Sequence, residues 1–236
     1  MAQRHKAIKE TLEVGTSAEW NDDHIADFSD EIILYEDFIT PLITTHWDVS
    51  VNAGGVLPVI TFVDHHSLVF LNSGAAQLDW SLLKYEFNGA AGNITHVDNA
   101  PILTTAVWLN KYDAVNIIGE WGLMNNAVAP TLANKDGAYF RVDAGVLYAV
   151  TGDGAAETTT DVTPAGGISE YGHYRIELTP TNCLFYVDDM STIAATHVAN
   201  LPDSDLTIFF YADSGGVADT ELYVDGVGLT RLRYKG

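Results

Sequence analysis

The chain has 236 residues, 32 acidic and 11 basic, for a formal net charge of −21. Such a charge repels nucleic acid and anionic lipid, and no uncharged run approaches the length of a membrane span, so neither nucleic-acid binding nor membrane insertion is predicted. The single cysteine, Cys183, excludes an internal disulfide framework and says nothing of redox compartment.

Residues 1–31 read as a polar N-terminal arm. Met1 to Glu13 is charged and lacks the apolar centre of a signal peptide. Thr16 or Ser17 suits a helix cap, but the stretch has too few apolar residues to build a core. Its one large aromatic, Trp20, sits among hydrogen-bonding groups, the composition of an anchor that docks on a partner. The predicted partner-binding set is therefore Thr16, Glu19, Trp20, Asn21, Asp22, Asp23 and His24; the alternative is that Trp20 packs on the chain's own sandwich.

From Ile32 to Gly236 the sequence alternates strand and turn. Strands are predicted at 32–38, 46–51, 57–63, 68–71, 82–87, 102–109, 115–123 and 138–142. They continue at 145–151, 158–162, 173–178, 183–187, 193–197, 206–211 and 221–232. Leu103, Thr105, Val107 and Leu109 share one face, as do Tyr174, Ile176 and Leu178. In the last strand Leu222 and Val224 are in phase but Leu229 and Leu232 are not, which predicts a bulge near Gly228. The dense, short strands separated by Gly, Asn, Asp and Pro predict one all-β, two-sheet antiparallel jelly-roll sandwich.

Chemistry-bearing motifs are sparse. Asp64 and His66 share a strand face, and His96 and Asp98 stand two apart, but two ligands do not make a zinc site. Asp153-Gly154 and Asp213-Ser214-Gly215-Gly216 offer oxygen-rich loops, which read first as Asp-Gly turns. There is no P-loop, dinucleotide fingerprint or nucleophile motif, so no metal or cofactor is predicted. Cys183, in an apolar run, reads as a buried inert thiol. The acidity reads as turn chemistry and solubility, with a high-salt habitat as the alternative.

Ile117-Ile118-Gly119-Glu120-Trp121-Gly122-Leu123, Gly137-Ala138-Tyr139-Phe140-Arg141-Val142-Asp143 and Leu184-Phe185-Tyr186-Val187-Asp188, in that order, resemble the concanavalin A-like lectin/glucanase jelly roll. The likeness extends through Ala195-Thr196-His197 and Leu222-Tyr223-Val224-Asp225-Gly226-Val227, and covers about residues 32 to 233. Asp189 stands where the hairpin glycine of the pattern is expected, a place for a positive-φ residue. The version with this order of motifs is that of tailed-virus structural proteins. The resemblance implies a virion-surface protein of capsid-decoration or tail-fibre type, a homo-oligomer attached to other virion proteins through its arm.

Glucanases of the family carry their acids along one strand, as Glu-x-Asp-x-x-Glu. No such run is present, and Glu120 stands alone beside Trp121, so the expectation is no catalysis. The alternatives are a glycan-binding lectin or adhesin, for which Trp47, Trp80, Trp108, Trp121, Tyr112 and Tyr171 are the available aromatics, and a polysaccharide hydrolase or lyase built around Glu120.

Overall fold

In a computed structural model, the described residues are 30–36, 47–52, 54–63, 66–74, 79–85, 94–110, 118–125, 134–168, 171–214 and 220–232. Residues 1–29 of the arm, with Thr16, Glu19, Trp20, Asn21, Asp22, Asp23 and His24, lie outside them, as do Asp64, His65, Tyr112, Gly215 and Gly216.

In chain order the strands are β1 (Asp30–Glu36), β2 (Trp47–Val51), β3 (Val56–Val63), β4 (His66–Asn72), β5 (Trp80–Tyr85), β6 (Thr95–His96), β7 (Pro101–Asn110) and β8 (Ile118–Met124). The second half adds β9 (Gly137–Asp143), β10 (Val146–Gly152), β11 (Glu157–Asp161), β12 (Tyr171–Leu178), β13 (Cys183–Val187), β14 (Ala195–His197), β15 (Asp205–Asp213) and β16 (Glu221–Leu232). The one helical element among the described residues is a 3-10 turn, Val97–Asn99.

Two antiparallel sheets face each other. The first runs β14-β13-β12-β7-β16-β4-β3, with β1 also paired to β16; the second runs β11-β10-β9-β8-β15-β5-β2, with β6 also paired to β15. This is the predicted jelly-roll sandwich. Alternation aims Leu103, Val107, Leu109, Leu222 and Val224 of the first sheet, and Trp121, Leu123, Phe140, Val142 and Phe210 of the second, into one shared core. Cys183 is fully buried there, and burial raises its thiol well above the ordinary value. It should therefore stay unmodified by a thiol reagent in the native protein and react only once the chain is unfolded in denaturant.

Two local expectations are corrected, and one strand was not predicted. The register of β16 against β7 shifts between Val224 and Gly226 rather than near Gly228, so Asp225 is the irregular position. At the β13 turn the positive φ, 56°, belongs to Asp188, one residue before the position expected. The two-residue strand β6 is too short to show any periodicity in sequence.

His197, on β14, reaches from the first sheet to the second. Its Nδ1 lies 3.0 Å from Thr151 Oγ1 and its Nε2 2.9 Å from Thr160 Oγ1. The ring is 2% exposed, and burial holds its pKa below the usual histidine value. A group whose folded-state pKa is depressed in this way is protonated more readily in the unfolded chain. The stability it contributes is complete above about pH 6.5, falls as the pH drops toward the depressed value, and changes no further below it. Urea midpoints measured from pH 7.5 to 5 should fall more steeply for the wild type than for His197→Asn; parallel curves would refute this.

Candidate functional site

With Trp121, Leu123, Phe140 and Val142 turned inward, alternation places Glu120 and Gly122 of β8, Tyr139 and Arg141 of β9, and Phe209 and Tyr211 of β15 on the outer face of the second sheet. Glu120 sits in register between Tyr211 on one side and Arg141 on the other. Glu157, at the start of β11, reaches the same guanidinium from two strands away.

Arg141 joins the two carboxylates. Its Nε donates to Glu120 Oε1 at 2.7 Å, its Nη1 to Glu157 Oε2 at 3.0 Å, and its Nη2 to Glu157 Oε1 at 3.1 Å. Nη2 also donates to the Tyr139 hydroxyl at 2.9 Å, and that hydroxyl donates to Glu157 Oε1 at 2.5 Å. The backbone N–H of Asn134 adds a further bond to the same oxygen at 3.0 Å. Lys135 Nζ lies 2.8 Å from Glu120 Oε2 and is 5.6 Å and 5.9 Å from the ring centres of Tyr139 and Tyr211. Two cations thus face two anions in a cluster walled by aromatic rings. A planar guanidinium suits this place because it can serve two carboxylates with separate N–H edges, which an ammonium cannot.

The members differ in depth. Glu120 is 1% exposed and Lys135 3%. The Arg141 and Glu157 side chains retain 18% and 12%, so the cluster opens to solvent at the Arg141–Glu157 edge. Burial alone would raise the Glu157 pKa. Hydrogen bonds from Arg141 and Tyr139, with the charges of Arg141 and Lys135, outweigh burial and hold the carboxyl below its usual value, so it is an anion at neutral pH. Burial, joined by the nearby Glu120 charge, raises the Tyr139 phenol, which keeps its proton. Arg141 is raised despite burial, chiefly by the Glu120 charge.

Gly122 is required by this arrangement. It lies opposite Tyr139 with φ +156°, and a Cβ there would stand 2.5 Å from both the Tyr139 Cα and the Ala138 carbonyl oxygen. The bare backbone at 122 leaves room for the tyrosine that bonds Glu157.

Glu120, flagged in sequence as the solitary acid, is therefore central to the cluster and not alone. Glu157, Arg141, Lys135 and Tyr139 were missed as its partners. The glucanase pattern sets its acids two or three apart on one strand, whereas this pair comes from β8 and β11 and meets only across β9 and β10. The available signal was Tyr139-x-Arg141, a phenol and a cation on one strand face.

The other candidates are structural. His96 Nδ1 accepts a bond from the Asp98 N–H at 3.1 Å and caps the 3-10 turn. Asp153 accepts from the N–H groups of Ala155 and Ala156, an Asp-Gly turn as read, and Asp213 accepts from the Tyr211 hydroxyl at 2.6 Å. No cluster of three or more metal-ligating residues occurs among the described residues. Trp47 and Trp121 are core; Trp80 and Trp108 are half-buried, and Tyr171 is exposed.

No protein-family model matches the chain. No curated protein sequence matches it either. Solved structures do. A β-glucanase of Bacillus licheniformis is 13% identical, with a TM-score of 0.57, and the match covers 84% of this chain and 97% of that one. A glycoside hydrolase family 16 endo-glucanase of Bacteroides ovatus gives 11% identity and 0.60, over 84% and 100% of the two chains. A Mycobacterium tuberculosis protein described as an immunostimulatory antigen and pseudo β-1,3-glucanase gives 14% and 0.56, over 86% and 99%. These neighbours are glucanases, one of them a pseudo-glucanase, and they overturn the expectation of a non-enzymatic virion protein of capsid or tail-fibre type. At these identities the likeness carries the fold: the chain has the two-sheet, concanavalin A-like jelly roll of the family 16 glycoside hydrolases.

Proposed function

We propose that the chain hydrolyses a β-linked glycan at the outer face of its second sheet. The observation that carries this reading is the Glu157 carboxylate, ionised at the open edge of a cluster in which Arg141 joins it to Glu120. The fold shared with glucanases makes a polysaccharide the fitting substrate class. Glycoside hydrolysis needs a proton for the leaving oxygen, supplied here by water at the open edge, and an ionised carboxylate at the scissile bond that takes a proton from the attacking water. Glu157 fills that role: it is ionised, bonded by Arg141 and Tyr139, and stands at the open edge of the cluster. Glu120, buried between Lys135 and Arg141, is a positioning residue that fixes the guanidinium.

Release of reducing ends should be measured on mixed-linkage β-glucan, laminarin and β-galactan. The wild type is expected to be active on at least one, and Glu157→Gln to lower kcat by about a hundredfold or more. Glu120→Gln keeps the shape but weakens the hold on Arg141, so kcat should fall less and its pH profile should shift. No release from any substrate, or full activity in Glu157→Gln, refutes the reading.

A further inference from the structure

The first sheet carries, on its own outer face, a set of side chains that the acid cluster does not use. Leu222, Val224, Val107 and Leu109 point into the core, so Tyr223 of β16, Trp108 of β7 and Phe70 of β4 point out, in register across three strands. Their rings stack at 4.9 Å between Trp108 and Tyr223 and 4.7 Å between Tyr223 and Phe70. Rings stacked in that way stand upright and support one another.

Tyr171 behaves differently. It lies opposite Trp108 on β12, yet its hydroxyl donates to Asp225 Oδ2 on β16 at 2.5 Å. To do so the side chain must cross β7, at the place where β7 carries only Ala106. Ala106 is 0% exposed although it lies on the outward-facing alternation, as expected beneath a ring laid across it. Tyr171 itself is 41% exposed and has the edge of His173 against it at 5.4 Å. It is therefore a flat aromatic surface pinned at its far end, beside an upright indole.

Planar hydrogen-bonding groups flank these rings. On one side, Glu221 lies between Asn110 and Asn72, at 2.6 Å and 3.4 Å; on the other are Asp225 and His173. Arg175, the cation on the outer face of β12, is turned to Glu177 and to the Tyr186 ring. The patch thus joins an aromatic face to carboxylate and amide groups, and its charge is acidic.

We propose that this Tyr171–Trp108 surface holds a neutral glycan chain, as a second carbohydrate site on the opposite sheet from the acid cluster. C–H faces of a pyranose pack on the Tyr171 ring, and its hydroxyls bond to Asp225, His173 and the Asn110–Glu221 pair. Glu221 and Asp225 disfavour polyuronates, which carry like charge. The choice of a carbohydrate ligand rests on the function proposed above, but the site does not depend on hydrolysis.

The test is binding of mixed-linkage β-glucan and laminarin by affinity electrophoresis and calorimetry, with polygalacturonate as the acidic control and sedimentation velocity run in parallel. With the aromatic face intact the protein should bind a neutral glucan and not polygalacturonate. Tyr171→Ala, an exposed position, should lose about tenfold or more in affinity, and Trp108→Phe less. The binding comparisons are made in a Glu157→Gln background, so that the glycan is not hydrolysed during the measurement. Absence of neutral-glycan binding, equal binding by Tyr171→Ala, or equal binding of polygalacturonate overturns the proposal. So does a dimer that Tyr171→Ala abolishes without any glycan binding, since a second copy then covers the face. Binding without hydrolysis by the wild type would sink the proposed reaction and leave this site standing; hydrolysis with Tyr171-independent binding would do the reverse.

Discussion

Arg141→Leu is expected to lower unfolding free energy by about 3–5 kcal/mol, the range for removing one partner from a buried ionic group. The guanidinium makes four bonds: one to Glu120, two to Glu157 and one to Tyr139. Without it Glu120 keeps only Lys135 at 1% exposure, and the Glu157 carboxyl loses the strongest of the interactions that hold its pKa down. Two results should accompany the loss. Glu120→Leu combined with Arg141→Leu should be no more stable than Arg141→Leu alone, because it leaves the buried Lys135 ammonium without its carboxylate. The Glu157 contribution also has a sign. A carboxyl held below its ordinary pKa stabilises the fold fully above that ordinary value and ceases to do so as the pH falls through the depressed one. The wild type should thus lose more stability than Arg141→Leu on going from pH 6 to pH 3. Urea denaturation supplies each number, and a cost under about 1 kcal/mol for Arg141→Leu, the level of an exposed ion pair, would show that the cluster is not a buried network.

Gly122→Val should cost about 3 kcal/mol or more, at or beyond the upper end of ordinary overpacking, because the added atoms meet backbone and not the flexible end of a side chain. The nearest atoms are the Ala138 carbonyl oxygen and Tyr139 Cα at 2.5 Å, with Tyr139 Cβ at 2.6 Å. Relief requires β8 and β9 to part, which breaks the register that sets Glu120 opposite Arg141. Gly119, three residues earlier on the same strand, is the control. A Cβ there meets only Leu222 Cδ1 at 3.8 Å and Thr220 Cγ2 at 3.9 Å, ordinary contacts. Gly119→Ala should therefore change the denaturation midpoint little, while Gly122→Val lowers it sharply or prevents folding. Similar behaviour of the two would mean that strand propensity, not the contact with Tyr139, governs this site.

Much of the sandwich was legible because strand alternation is written in neighbouring residues. Leu103, Thr105, Val107 and Leu109 are each at most 2% exposed, as their period-2 spacing required. Where alternation breaks, as at Asp225, the sequence indicated an irregularity but displaced it by a few residues, because a bulge is defined against the partner strand. The acid cluster was beyond such reasoning. Glu120 and Glu157 are 37 positions apart in sequence, and only the order β11-β10-β9-β8 brings them to one guanidinium.

By itself, then, the sequence determined an all-β chain with one buried thiol, two apolar strand faces to be covered and an acidic exterior, all of which follow from residue type and local period. The tertiary structure alone decided which strands became neighbours. That choice paired the acids across β9, made Gly122 indispensable beneath Tyr139, and laid Tyr171 over Ala106. Each is a contact between residues distant in the chain, fixed by sheet order and register, and those are settled by the packing of the whole core rather than by any segment of it.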